Sequence, residues 1–476
     1  MLFSEPPSSV LFWSVSAILL GLLGTAYSIV YQLCWSPLRR FPGPRLWAVS
    51  RIPGQLSVLH GHHHLDLTAL HEQYGSVLRI SPHELAFNTP QAFRDIYGAR
   101  PGGCFPKDRT HYLPPANGVN HLVCEVDHTS HARQRRLLSH AFSERALRDQ
   151  ESLITSYVDT MIFKLHLEIQ RSSSCVDIKH WMNFTTFDIT GDLIFGESFN
   201  CLKDSKLHPW IELIFKSIKA LALDGITRQF PVLRTFLRAF IPRRIQQKAV
   251  EHFKLAAKRV DKRLETQTTR PDFMAAILQN GLSESNGKYQ AGKRIMTRAE
   301  IHSNAFIFAD DKDMTFRSCA TLPYLAAVIE ESLRMYPPFT VVACHHYATY
   351  HSSSNFALPD NFIPERWLGK DARFDGDKKD ALQPFSLGPR NCLGKKYVST
   401  GSTALSSAVT KKQLFSLSLA YCEMRLILCK LLYHFDFMLC PESANWTDQK
   451  VYFLWDKPAL MVTLKPRLKN ENRTES

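Results

Sequence analysis

One cysteine near the C-terminal end of the chain, Cys392, lies in a short turn with the sequence FSLGPRNCLG, residues 385–394. A cysteine thiolate is a strong metal ligand, and it needs a lowered pKa to act as one. Gly388 permits a tight turn, Pro389 stiffens it, and Arg390 places a positive charge nearby. Backbone N–H groups in such a turn can hydrogen-bond the sulfur and tune a bound metal. A lone cysteine is weak evidence for a metal site, so the turn by itself leaves the role of Cys392 open.

Two other patterns carry charged or metal-binding side chains. Glu331 and Arg334 stand three positions apart in VIEESLRMYPP, so they share one face of a predicted helix and can pair there. Alone, such a pair is usually a salt bridge at the surface. Histidines are concentrated in HGHHHLD (residues 60–66) and again in HHY (345–347). A surface loop is the favoured interpretation of both stretches, and metal binding is the alternative for the first.

The turn around Cys392 resembles the haem-ligand loop of the cytochrome P450 family, the haem-thiolate monooxygenases. That loop has the order Phe-x-x-Gly-x-Arg-x-Cys-x-Gly. This chain fills every specified position, with Phe385, Gly388, Arg390, Cys392 and Gly394. The resemblance implies that Cys392 is the axial ligand of the iron of haem b. It also implies that Phe385, Gly388 and Arg390 belong to the haem-binding loop.

Three charged residues resemble the family's buried ion network. Glu331 and Arg334 precede a Tyr-Pro-Pro corner, as they do in the family, and Arg366 in FIPERW matches the third member. The resemblance implies that this network is structural, locking the core around the haem.

The stretch SHARQRRLLSHAF resembles the family's Trp-x-x-x-Arg helix. His131 stands in the place of the usual Trp, and Arg135 falls at the position that binds a haem propionate. Such a contact is a charge-assisted hydrogen bond. Both residues are therefore expected to contact the cofactor.

The resemblance also implies a reaction. Thiolate ligation gives haem iron the electron density that favours O–O cleavage. The chain is expected to insert one oxygen atom into a small hydrophobic molecule, by hydroxylation or epoxidation, with electrons from NADPH. A membrane-bound flavoprotein reductase would deliver them, and its acidic surface suits a chain of formal charge +14. The wording of FIPERWLG and PFSLGPRNCLGK is similar to microsomal enzymes of fungal secondary metabolism.

The N-terminal residues predict a membrane anchor. No charged residue occurs from Pro6 to Leu38, and the apolar stretch 10–33 is long enough to span a bilayer as one helix. Arg39 and Arg40 follow directly, which places the C-terminal bulk on the cytoplasmic side. We expect residues 1–38 to be a single-pass anchor in the endoplasmic reticulum membrane and 39–476 to be the haem-thiolate monooxygenase domain.

The remaining sequence predicts a mainly α fold with a small β-rich part (α+β), which by resemblance is the cytochrome P450 fold. The 476 residues are 45% hydrophobic, enough for a large core. Short strands are expected within 74–90 and helices from about 130 to 309. The positive charge is not concentrated in a nucleic-acid-binding motif. Eleven cysteines without a CxxC pair indicate a reducing compartment.

Three stretches depart from the family's pattern. Its oxygen-activating helix places an acid directly before a threonine, whereas here residues 310–313 read DDKD and the nearest alcohol is Thr315. The stretch from Ala309 to Glu331 is too short for the rest of that helix and the next one. A strand pair that lines the substrate pocket is also largely missing after Pro338. Residues 396–417, rich in Ser, Thr and Lys, read as an insert after the ligand loop. We therefore expect two deletions and one insert, and the catalytic residues stay unknown.

These departures leave two other functions open. The chain could be a catalytically impaired haem-binding relic, or a mis-spliced product of such an enzyme. It could also be a haem-thiolate isomerase or dehydratase, which needs no oxygen delivery. Turnover of any substrate would exclude the relic, and product formation without NADPH and oxygen would indicate the isomerase or dehydratase.

Overall fold

A computed structural model describes residues 7–100, 104–115, 117–171, 175–232, 234–235, 243–266, 272–274, 282–283, 296–308, 322–337, 344–393, 419–452 and 454–467. The earlier helices are α1 (Pro7–Val30), α2 (Arg45–Val49), α3 (Ile52–His60), α4 (His63–Tyr74), α5 (Pro90–Tyr97), α6 (His128–Ser139), α7 (Glu144–Arg171), α8 (Ile178–Phe195), α9 (Cys201–Asp204) and α10 (Pro209–Arg228). The later helices are α11 (Arg243–Glu265), α12 (Arg298–Phe308), α13 (Pro323–Met335), α14 (His346–Tyr350) and α15 (Leu419–His434).

The strands are short and lie in small sheets. They are β1 (Val77–Ser81), β2 (Glu84–Phe87), β3 (Cys175–Asp177), β4 (Leu282–Ser283), β5 (Met296–Thr297), β6 (Phe435–Leu439), β7 (Lys450–Val451), β8 (Trp455–Asp456) and β9 (Met461–Pro466). Strand β9 lies between β3 and β6 and is antiparallel to both, with Cys175 opposite Thr463. Strands β1 and β2, and β7 and β8, form antiparallel pairs, and β4 and β5 a parallel pair. The predicted mainly α fold with a small β part is confirmed.

The main hydrophobic core forms where α7 and α8 pack together with α11, α12 and α15. On α7 the fully buried residues recur three and four positions apart: Ile154, Val158, Met161 and Leu165. This spacing places them on one face of the helix. Helix α8 is buried at nearly every position from Phe184 to Phe195. It is therefore a central helix of the domain, whereas α7 covers the core from one side.

The N-terminal helix exposes apolar side chains on all sides. Among the described residues, Leu11–Trp35 is the one helical stretch that is long and apolar enough to cross a membrane, and no residue of its most apolar part is buried. Leu20, for example, is 70% exposed. An all-round apolar helix stays stable when it is surrounded by protein core or by lipid. This geometry fits the membrane anchor expected from the sequence.

A buried arginine joins the end of this helix to the domain. The guanidinium of Arg79, on β1, donates to the Gln32 carbonyl at 2.9 Å, to Gln32 Oε1 at 2.5 Å and to Ser36 Oγ at 3.3 Å. All three side chains are at most 5% exposed. The backbone N–H of Arg79 also donates to the Pro42 carbonyl at 2.7 Å, which holds the segment around Pro42 against the same strand. We call these contacts the Arg79 clasp.

The histidine stretches pack inside the protein. Helices α4 and α14 lie against each other, and four histidines in this region are buried: His64, His345, His346 and His351. The His64 ring meets Tyr347 and Trp455 edge to face, with centroids 4.7 and 5.1 Å apart. Within the described residues, no group of three or more His, Cys, Asp or Glu is placed to hold a metal ion. The surface-loop interpretation is therefore wrong for His64, His345 and His346.

These buried rings predict a loss of stability in acid. Burial lowers the pKa of the half-buried His63 and of the buried His64 to about 4, below their ordinary 6.5; neighbouring histidines lower that of His64 further, and Asp66 opposes both shifts. As the pH falls from 6.5 towards 4, these histidines become protonated in the unfolded chain but stay neutral in the folded chain. The folded state therefore loses stability relative to the unfolded state. We expect a cost of roughly 1 kcal/mol or more at pH 5 relative to pH 7.5.

Thermal unfolding midpoints of the purified full chain between pH 7.5 and 5 would measure this loss. His64→Gln should flatten the profile, because it removes one imidazole that resists protonation. His60→Gln is the control, since His60 is exposed. An unchanged profile in His64→Gln would contradict the assignment of the acid sensitivity to this ring.

Candidate functional site

The loop that carries Cys392 folds back on itself. The Cys392 N–H donates to the Phe385 carbonyl at 2.9 Å, and the Asn391 N–H donates to the Gly388 carbonyl at 3.2 Å. Ser386 and Gly388 both have a left-handed backbone, with φ of 60° and 71°. These turns leave Cys392 half-buried, so its position is fixed while its side chain keeps access to a ligand.

Gly388 rests directly on the end of α5. A Cβ atom at this position would lie 1.9 Å from the carbonyl oxygen of Tyr97, far inside contact distance. Both the left-handed backbone and this close approach exclude a larger residue. The loop therefore packs against α5 at Gly388, a position that only glycine can occupy.

Gly388→Ala is expected to destabilise the folded protein by about 2–4 kcal/mol. The left-handed backbone costs alanine about 1 kcal/mol or more, and relief of the overlap with Tyr97 adds about 1–3 kcal/mol. Gly369→Ala is a matched control, because Gly369 has φ of 65° but nothing within 4 Å of its Cβ position. Free energies of unfolding of both variants would separate the two costs, and equal losses would contradict the close-packing argument.

Cations surround the ligand loop. Arg135, on α6, donates through Nη1 to the Asn391 carbonyl at 2.6 Å and through Nη2 to the Asn391 side chain. Arg390 donates to the carbonyls of Glu125 and Val126 at 2.5 and 2.7 Å. Because Asn391 is adjacent to Cys392, Arg135 lies next to the cysteine. Arg390, two positions before Cys392, ties the loop to the residues that precede α6.

The positive charges near the loop, together with burial, lower the pKa of two neighbouring side chains. Burial, then the charges of Arg390, Lys107 and Arg135, lower the pKa of His131 to about 3. Burial and Arg390 lower the pKa of Lys107 to about 8. The Nε atom of Arg390 is buried without a hydrogen-bond partner. This half-buried positive charge, beside a thiol donor, fits a metal group that carries carboxylates, such as haem with its propionates.

The predicted ion network is assembled in the core. Glu331 accepts two hydrogen bonds from Arg334 at 2.9 Å and one from Arg366 Nε at 3.1 Å, and all three side chains are 0% exposed. Burial acts to raise the pKa of Glu331, but the hydrogen bonds and charge of Arg334, with donors from Ile363 and Trp367, outweigh it and lower the pKa. Glu331 is therefore a buried carboxylate held in its charged form.

Two further members of this network were not predicted. Asp377 accepts from Arg366 Nη1 at 2.6 Å, and Trp367 Nε1 donates to Glu331 at 2.9 Å. Arg366 would otherwise share one carboxylate with Arg334. The sequence DGDKK around Asp377 has no distinctive local pattern, so its membership of the ion network could be found only from the folded structure.

A hydrogen-bond path connects the network to the ligand loop. Arg334 Nη1 donates to the Tyr350 carbonyl at 2.9 Å, and the Tyr350 hydroxyl accepts from the Gln383 N–H at 2.8 Å. The Gln383 carbonyl in turn accepts from the Ser386 N–H at 2.9 Å. The ion network thus holds the segment from which the ligand loop begins.

Several predicted features lie outside the described residues. They are Gly394, the DDKD stretch 310–313 with Thr315, residues 338–343 at the start of the stretch where the pocket strands were expected, and the insert 396–417. The site described above therefore consists of the loop 385–393, the cations on and before α6, and the buried network.

Comparison with known proteins adds independent observations. A family model described as Cytochrome P450 matches residues 41–309 and 339–397. The chain is 38% identical to the cytochrome P450 monooxygenase astJ of Aspergillus oryzae, over 93% of this chain and 94% of the relative. It is 36% identical to the monooxygenase astA of Talaromyces wortmannii, over 94% and 97%. It is 35% identical to the trichothecene C-15 hydroxylase of Fusarium sporotrichioides, over 96% and 99%.

The family match and the alignment with a relative are interrupted at places that bear on the expected deletions. The family match stops at residue 309 and again at 397, so Glu331 and Arg334 lie between its two ranges. The alignment with the Aspergillus oryzae relative runs over 495 positions, more than the 476 residues of this chain. That relative therefore holds residues with no counterpart here, in keeping with the deletions expected from the sequence.

Proposed function

The chain belongs to the cytochrome P450 family, whose members use haem iron and electrons from NADPH, and on that premise we propose that it hydroxylates or epoxidises a small hydrophobic molecule in fungal secondary metabolism. The observation that carries the proposal is the half-buried Cys392 in a fixed loop surrounded by cations. Thiolate-bound haem supplies the capacity to split dioxygen and transfer one oxygen atom. The chain's own residues bind and orient that cofactor.

In this proposal each loop residue has a separate role. Cys392 would bind the iron as a thiolate. Arg135, Arg390 and His131 would hold the propionate carboxylates, whose negative charge would offset the positive charges that, after burial, lower the pKa of His131. Gly388 keeps the loop close to α5. The Phe385 carbonyl accepts a hydrogen bond from the Cys392 N–H and so sets the orientation of the sulfur.

The ion network acts at a distance. Arg334 donates to the Tyr350 carbonyl, and the Tyr350 hydroxyl accepts from the Gln383 N–H, so Glu331, Arg334 and Arg366 act on the loop through Gln383. They are positioning residues that keep the core closed around the cofactor.

We also propose the cellular arrangement. Residues 1–38 would cross the endoplasmic reticulum membrane once, leaving 39–476 in the cytoplasm, where a flavoprotein reductase carries electrons from NADPH. The apolar helix Leu11–Trp35, whose most apolar part is unburied, and the arginines that follow it support this orientation. The charge of +14 suits an acidic electron donor.

The test uses the purified full chain in lipid vesicles with an NADPH-dependent flavoprotein reductase. It is supplied with ¹⁸O₂ and a panel of small hydrophobic molecules that includes the trichothecene skeleton. We expect a thiolate-type Soret band for the reduced protein with carbon monoxide, and a product that gains one ¹⁸O atom only with NADPH. Product without NADPH and oxygen would instead indicate an isomerase or dehydratase.

A second candidate rests on a specific observation, the absence of an acid directly before a threonine in residues 310–315. In that case the chain binds haem but transfers no oxygen. The Soret band with carbon monoxide would appear, while no panel member would gain ¹⁸O although NADPH is present. The same experiment therefore separates the two functions.

A further inference from the structure

Two cysteines far apart in the sequence meet at the edge of the C-terminal sheet. The Sγ atoms of Cys175 and Cys440 are 2.7 Å apart, although 265 positions separate the residues. Cys175 begins β3 and Cys440 directly follows β6, the two strands that flank β9. A formed disulfide has a sulfur–sulfur distance of about 2.05 Å. A movement of less than about 1 Å would therefore join the two thiols.

The surrounding sheet fixes both cysteines. Cys175 pairs with Thr463 across the β3–β9 ladder, and the Cys440 N–H donates to the Met461 carbonyl at 3.1 Å. Cys440 Sγ also lies 3.4 Å from Thr463 Oγ1. Because both backbones are held by β9, the thiols stay facing each other.

Access and chemistry favour oxidation over metal binding. Cys175 is half-buried, so a small oxidant reaches it, whereas Cys440 is only 6% exposed. Neither belongs to a metal-binding group within the described part of the chain. The hydrogen bond with Cys440, and then burial, raise the pKa of Cys175 to about 11, so little of it is thiolate near neutral pH and its oxidation is slow. The close approach of the two sulfur atoms, rather than an acidic thiol, carries the assignment.

We propose that Cys175 and Cys440 form a site of reversible oxidation, in which a peroxide converts the two thiols into a disulfide that ties β3 to the end of β6. Peroxide first oxidises the Cys175 thiolate to a sulfenic acid and releases hydroxide. The Cys440 thiolate then attacks that sulfur; the S–S bond forms, the S–O bond breaks and a second hydroxide leaves. The released protons convert both hydroxides to water, so two thiols lose two electrons and one peroxide gives two waters.

The expected consequence is a more stable sheet. The new bond would close a loop of 265 positions and so restrict the unfolded chain. Because α8 follows β3, the disulfide would also link the start of α8 to β6, the strand that follows α15. Oxidation should therefore raise the thermal unfolding midpoint by several degrees, and a thiol reductant should reverse the rise.

The test treats the purified full chain with hydrogen peroxide, alkylates the remaining thiols with iodoacetamide and maps the peptides by mass spectrometry. We expect a peptide pair linked through Cys175 and Cys440 that dithiothreitol separates. Cys175→Ser and Cys440→Ser should each lose both the linked peptide and the rise in midpoint. Cys104→Ser, which changes another half-buried cysteine, should keep them.

Two results would overturn the proposal. One is recovery of both cysteines in alkylated form after peroxide treatment that oxidises other thiols in the chain. The other is linkage of Cys440 to a different cysteine as often as to Cys175. Neither readout depends on haem binding or turnover, so failure here is distinguishable from failure of the proposed monooxygenase function.

Discussion

Cys392→Ala is expected to abolish the thiolate-type Soret band of the reduced protein with carbon monoxide and to reduce NADPH-dependent oxygenation to background. Alanine offers no donor atom to iron, and within the loop 385–393 Cys392 is the residue with a soft ligand. The fold should survive, because Cys392 is only half-buried and its backbone N–H bond to Phe385 needs no side chain. The effect is therefore a loss of the metal centre with the protein intact.

The measurement compares absorbance spectra of the full chain with those of Cys392→Ala and Cys104→Ala. Cys104 is also half-buried, so its variant controls for the removal of any thiol. Thermal unfolding of both variants reports whether the fold is retained. A thiolate-type band of unchanged position and intensity in Cys392→Ala would refute the ligand assignment.

The second large effect is expected at Glu331. Glu331→Ala leaves the guanidinium groups of Arg334 and Arg366 buried at 0% exposure, with one carboxylate fewer between them. Removing one partner of a buried ion pair costs about 3–5 kcal/mol, because the remaining charge has no compensation. That loss is a large share of the stability of a typical domain, so little folded protein should accumulate.

Glu331→Gln distinguishes charge from shape in this network. Glutamine keeps the size of the side chain and one acceptor oxygen but removes the negative charge, so we expect a smaller loss than in the alanine variant. Glu72→Ala serves as a control, since Glu72 is exposed on α4 and should change stability by no more than about 0.5 kcal/mol. Yields of folded protein and free energies of unfolding would rank the three variants. Equal values for Glu331→Ala and Glu72→Ala would contradict a stabilising network.

Features encoded over a few neighbouring residues could be predicted from the sequence. The ligand turn is one, because its glycine, arginine and cysteine act through local backbone geometry. The pairing of Glu331 with Arg334 is another, since helical spacing alone brings them together. The long apolar helix at the N-terminus is a third, because composition and length decide it.

Features that depend on distant contacts could not be predicted. Nothing near Gly388 in the sequence indicates that Tyr97 lies beneath it, or that Asp377 completes the ion network. The histidine stretches are polar and suggest a surface, yet packing of α4 against α14 buries His64 and His346. Tertiary packing overrides the local pattern in each case, and the meeting of Cys175 with Cys440 arises in the same way.

The Arg79 clasp has a mechanical consequence. The guanidinium of Arg79 binds Gln32 and Ser36 at the end of the apolar helix, so it links that helix to β1. Helices adjust their tilt to the thickness of the bilayer around them. Where this helix spans a membrane, we expect a change in bilayer thickness to alter the tilt of the helix. Through the link to β1, that tilt would change the orientation of the domain relative to the membrane. The lipid composition would then set which face of the protein meets molecules dissolved in the bilayer.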